Sequence, residues 1–170
     1  MKKRILEYHN SEYKLIGYSV DSTLLIYMQE FLANLSLEQA QRGAQAFHLS
    51  QINDFMIEYN KKSYSTWYVA FWNLLDATPY ETEVNGITVL HDERIPKLRL
   101  SYQNFDSIFK QWAFIKQTTP QYIIIQQDDT GFVQINNENE LEIEELALVE
   151  QYKKEVARKN NERHNKNQFN

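Results

Sequence analysis

Apolar residues recur along this chain in two rhythms. Between residues 24 and 35, Leu24, Leu25, Met28, Phe31, Leu32 and Leu35 stand three and four residues apart, the spacing that lines one face of an α-helix. Asp21 or Ser22 is placed to cap it. Ser36-Leu37-Glu38-Gln39 is a capping-box pattern. In it, the Ser36 hydroxyl accepts the Gln39 amide and the Gln39 side chain reaches back. The box predicts a second helix over about 37–48. Ile52, Phe55, Met56 and Tyr59 predict a third over about 50–60, capped by Ser50. Trp67, Tyr68, Phe71, Trp72, Leu74 and Leu75 predict a fourth over about 64–76, closed by Pro79.

The other rhythm is alternation. Segments 3–8 and 13–20, parted by the polar His9-Asn10-Ser11-Glu12, predict an N-terminal hairpin. Asn85-Gly86 sits between β-favouring residues and suits a tight turn in which both residues take positive φ. Leu98-Arg99-Leu100-Ser101-Tyr102 predicts a strand. Asn104 opens a helix through Phe105, Ile108, Phe109, Trp112 and Ile115, ending before Pro120. Tyr122–Ile125 and Phe132–Ile135 flank the turn formers Asp128-Asp129-Thr130-Gly131 and predict another hairpin. Glu140-Leu141-Glu142-Ile143-Glu144 alternates like a further strand. A last helix follows over about 145–163, with Leu146, Val149, Tyr152 and Val156 on its inner face. These elements describe an α+β fold: a helical first half, and an antiparallel sheet with packed helices in the second. We expect a single domain over 1–159. Residues 160–170 are a polar tail with little to bury, which predicts disorder.

Composition narrows the chemistry. The 170 residues include no Cys, which excludes disulfides, Cys-based zinc or iron–sulfur sites and a thiol nucleophile. Four single Gly, at 17, 43, 86 and 131, leave no phosphate-cradling loop. No two of the four histidines lie within ten residues of each other. We therefore expect a protein without cofactor or metal. The basic start Lys2-Lys3-Arg4 is followed by only Ile5-Leu6 before Glu7, His9, Asn10 and Glu12, so there is no apolar h-region and no signal peptide is expected. No apolar run approaches the ~20 residues of a membrane span. The expectation is a cytoplasmic protein with no membrane partner.

Charge adds the most unusual feature. The chain has 18 Lys+Arg against 23 Asp+Glu, a net charge of −5. Residues 121–150 hold eight acidic residues and no basic one, and the basic residues of the C-terminal region follow. An acidic chain without a basic stripe argues against nucleic acid as partner. Read as a strand, 140–144 puts Glu140, Glu142 and Glu144 on one face, where like charges repel unless something positive stands opposite. With Asp128 and Asp129 they form the candidate binding surface, unless they are only a solvated face or are compensated locally by the basic tail 151–170.

Two other constellations read more plainly. His91-Asp92-Glu93 has the composition of a general base or metal site, but neighbouring strand residues point to opposite faces. Asp128-Asp129-Thr130-Gly131 lacks the distal carboxylates of a calcium loop. The aromatics of residues 55–80 have few basic neighbours, so core packing accounts for them better than base stacking does.

The functional expectation is a non-catalytic binding protein. Its sharpest form is an immunity protein that neutralises a basic, nuclease-type bacterial toxin by covering its active surface. A second copy of the chain is a further possible partner. The alternatives are a structural or assembly subunit of a phage or secretion machine, and an enzyme using Asp128 or Asp129 with His91.

Overall fold

The computed structural model describes residues 1–23, 25–44, 49–52, 55–61, 67–73, 80–84, 86–91 and 98–167. The chain begins with the hairpin β1 (Lys2–His9) and β2 (Glu12–Tyr18). His9 lies opposite Glu12, so Asn10 and Ser11 form the two-residue connection, with φ of 51° and 69°. Two positive φ angles give the turn a twist that matches the strands. α1 (Leu25–Asn34) follows, then α2 (Leu37–Arg42). The capping box at Ser36 is present as predicted: Gln39 N donates to Ser36 Oγ at 3.1 Å, and Ser36 N donates to Gln39 Oε1 at 2.9 Å. The helix ends earlier than 48, because Gly43 takes φ 77° at its C-cap.

The next segment differs from the sequence expectation. Residues 50–60 and 64–76, predicted helical, contain β3 (Leu49–Ile52), β4 (Phe55–Lys61) and β5 (Trp67–Asn73). Short apolar runs satisfy a helical period and a buried strand equally, and here β-branched and aromatic residues favour the strand. β5 has neighbours on both sides, β4 and β8. A continuous run such as Trp67–Trp72 suits that position. The hairpin β6 (Tyr80–Val84) and β7 (Ile87–His91) turns at Gly86, with φ 75°, while Asn85 lies outside the described residues. β8 (Leu98–Ser101) leads into α3 (Tyr102–Thr118), then β9 (Tyr122–Gln127), β10 (Val133–Glu138) and α4 (Ile143–Asn167).

The α+β class and the antiparallel pairing hold: among the described residues, four helices accompany sheets whose strand pairs are all antiparallel. The chain packs as two compact units, Ile26–Ala113 and Met1–Leu25 with Phe114–Asn170. In the first unit the sheet order is β3-β4-β5-β8, with β6-β7 apart. Phe31, Phe105 and Phe109 form an aromatic cluster, the Phe105 and Phe109 rings 4.9 Å apart and edge-on. Trp112 beside them is buried and donates its indole N–H to the Leu35 carbonyl at 3.3 Å. The apolar face predicted for α3 is thus the buried one.

The second unit carries the candidate site. Its sheet order is β10-β9-β1-β2, with Ile5, Ile123, Ile125 and Val133 fully buried. α4 lies against β2 closely enough that a Cβ at Gly17 would come within 3.1 Å of the Val149 nitrogen. A larger residue here would need the α4 backbone to give by a few tenths of an ångström. Val149 is buried and Tyr152 half-buried, as predicted. However, Leu146 is 51% and Val156 38% exposed, and Glu145 turns inward instead. The tail also differs: α4 continues through Asn167 where composition predicted disorder. Pairs one turn apart, such as Arg158 with Glu162 at 3.8 Å, support this exposed extension.

Candidate functional site

The acidic segment is built from two pieces of structure. The first is the turn between β9 and β10. Asp128 Oδ1 accepts from Thr130 N at 2.9 Å, Thr130 Oγ1 at 2.6 Å and Phe132 N at 3.0 Å. Gly131 closes the turn with φ 88°. The Thr130 hydroxyl, with the backbone N–H groups behind it, holds the Asp128 carboxyl below the usual carboxylate range. Asp128 therefore locks the turn through one oxygen. Asp129 beside it is exposed.

The second piece is the approach to α4. β10 ends at Glu138, so residues 140–144 form no strand. This corrects the expectation that Glu140, Glu142 and Glu144 share one strand face. The physical reason is the helix start. Glu145 Oε2 accepts the Glu142 backbone N–H at 2.9 Å, and Leu146 N donates to the Glu142 carbonyl at 2.9 Å. Carboxylates in the first turn also complement the positive end of the helix dipole. Alternation with Leu141 and Ile143 is therefore incidental: Ile143 is 87% exposed, with no apolar face beneath it. Glu140, Glu142 and Glu144 are all exposed.

The two pieces leave the sheet from opposite ends of one ladder. Asp128 follows Gln127, whereas Glu138 pairs with Tyr122, five residues back along β9. That separates the departure points by ~17 Å at 3.4 Å per residue. The candidate surface is thus composed of a turn and a helix start.

Among the described residues, two of the eight acids in 121–150 have basic partners from outside that segment. Glu145, 4% exposed, pairs with Lys3 Nζ at 2.8 Å. Glu150 pairs with Lys153 at 3.1 Å on the surface. Asp128, Asp129, Glu140, Glu142 and Glu144 have no ion pair among the described residues. Pairing with Lys3 spans 142 positions and carries no local sequence signal.

Below the acidic start, α4 is held to β2 by a polar latch. Tyr18 donates its hydroxyl to Glu155 Oε2 at 2.9 Å and meets the Tyr152 ring edge-on at 5.8 Å. The Arg4 guanidinium lies 5.6 Å from the Tyr18 ring centroid. Lys159, bonded to the other Glu155 oxygen, and then Tyr18 hold the Glu155 carboxyl below its ordinary range. The bond to Glu155 in turn pushes the Tyr18 hydroxyl up. Nearer the hairpin turn, Tyr13 donates to the Pro120 carbonyl at 2.8 Å, and burial, then the nearby Tyr8, push its hydroxyl to about 12. These tyrosines are structural donors.

The remaining sequence candidates lie elsewhere. Asp92 and Glu93 fall outside the described residues, as do the side chain of His91 and those of the aromatic segment 55–80. Among the described residues, no group of three or more His, Asp or Glu is placed to hold a metal ion. Among them, too, no helix is long and apolar enough to cross a membrane. No family model, curated protein or solved structure matches this chain.

Proposed function

We propose that the chain is a non-catalytic binding protein whose acidic surface receives a basic protein partner. In the sharpest form of this reading it is an immunity protein. It acts in the bacterial cytoplasm and covers the active surface of a nuclease-type toxin. One observation carries the reading. Asp129, Glu140, Glu142 and Glu144 are exposed and lack ion pairs among the described residues, in a stretch of thirty positions with no base. A single-sign field of this kind opposes compaction and speeds encounter with an opposite field. Helix capping accounts for Glu145 and contributes to Glu144, but gives no reason for Glu140 or Asp129.

Affinity capture from the native host, using the full chain, tests the proposal. The expected result is a basic protein in one-to-one stoichiometry whose nuclease activity is lost in the complex. Capture of acidic proteins alone, or of a basic protein that keeps its full activity when bound, would contradict it.

A further inference from the structure

The outward face of α4 is exposed and has its own internal pattern, its Glu150 already paired with Lys153 on the same helix. Ile143, Ala147, Glu150, Lys154, Ala157 and Asn161 succeed one another at intervals of four and three. That spacing keeps them on one stripe of a helix. All six are exposed, Ile143 at 87%. The opposite stripe, through Glu145, Val149 and Tyr152, faces β2. From Ala157 onward every residue whose exposure is described is exposed, so the last turns stand clear of the sheet. Helical segments this short are marginal in water when nothing packs against them.

The stripe is complementary to itself when reversed. Taken in an antiparallel pair about the level of residue 152, position 150 meets 154, 147 meets 157 and 143 meets 161. Each Glu150 then faces the other copy's Lys154, twice over by symmetry. Ala147 faces Ala157, and two small residues let the helix axes approach to ~8 Å. Ile143 meets Asn161 beside the aliphatic stem of Arg158, an apolar cover that a long basic side chain supplies while its head stays in water. The parallel arrangement would instead set Glu150 against Glu150 and Lys154 against Lys154. The wider charge agrees with the antiparallel sense. Glu140, Glu142 and Glu144 lie at one end, and the other half, residues 153–167, holds six Lys and Arg against Glu155 and Glu162.

We infer that a second copy of this chain docks on α4, antiparallel about residue 152, through the stripe from Ile143 to Asn161. The inference stands apart from the basic-partner reading. The contact is polar at its centre, so the dimer is reversible and weakens with salt.

Sedimentation equilibrium of the full chain at low and high salt is the test, with variants at exposed positions that leave the fold intact. Wild type should show a monomer–dimer equilibrium that shifts toward monomer at high salt. Glu150→Lys and Lys154→Glu should each weaken self-association by about tenfold or more, since each turns two attractions into repulsions. Mixing the two variants should restore a heterodimer, and the double variant E150K/K154E should restore the homodimer. The lack of native Cys allows a second measurement. Ala147→Cys mixed with Ala157→Cys should cross-link on oxidation, whereas either alone should not, because its own two thiols would be ~15 Å apart. A monomer at all concentrations up to about 1 mM overturns the inference. So does a dimer that both charge variants leave unchanged, or one whose mixed and double variants fail to recover.

Discussion

Asp128 shows how a residue that reads as a binding group serves the fold as well. Three donors converge on its Oδ1 and depress its acidity. A folded-state pKa below the unfolded value means that the charge stabilises the native turn above the ordinary carboxylate range. That contribution is lost as pH falls through the lowered folded value. Asp128→Asn keeps an acceptor oxygen and removes the charge. The variant should unfold earlier than wild type at neutral pH, with the gap closing as acid protonates Asp128 in the wild type. A gap that is the same at pH 7 and at the acid end would show that the carboxylate charge adds nothing to the turn. Asp and Gly in this stretch were legible as turn formers. The bond from the Thr130 hydroxyl was not, because Thr130 is equally at home on a strand.

Elements were legible where one local device set them. The capping box at Ser36, the period of α3 and the turns at Asn10-Ser11, Gly86 and Gly131 each follow from residues within one turn of each other. They failed where partners are distant. Periodicity alone does not distinguish Trp67–Trp72 as a central strand from an aromatic helix; its β-favouring composition leans to the strand and pairing with β4 and β8 decides it. The rotation of α4 likewise depends on Gly17 and Lys3, which bring Val149 and Glu145 inward and leave Leu146 out. The Lys3–Glu145 pair is therefore expected to matter more than the surface pairs along α4. Its side chains are only 14% and 5% exposed, and Glu145 also caps the helix. Breaking a buried pair from one side leaves an uncompensated charge, at about 3–5 kcal/mol. Lys3→Met alone and Glu145→Gln alone should each lower stability on this scale, and the double variant should lose less than their sum. Chemical denaturation of the four proteins measures this; strictly additive losses would mean that the two side chains act independently.

For the whole molecule, the acidic block and the basic tail that supplies Lys153 were legible from sequence, and the distant compensation by Lys3 was not. Lys3 and Lys153 neutralise two of the eight carboxylates. The exposed remainder divides between the β9–β10 turn and the start of α4, where the sequence pattern had suggested one strand face. The central claim is that this remaining charge steers a basic partner. Rim charges act mainly on the association rate, through long-range attraction that salt screens. The most direct measurement is the association rate of the captured basic partner with wild type and with E140K/E142K, followed across salt concentration by stopped flow. Both substitutions lie on exposed side chains ahead of α4. The account predicts a wild-type rate that falls steeply with salt, and a variant rate that is slower at low salt and flatter throughout, the two converging at high salt. Equal rates with equal salt slopes would contradict it.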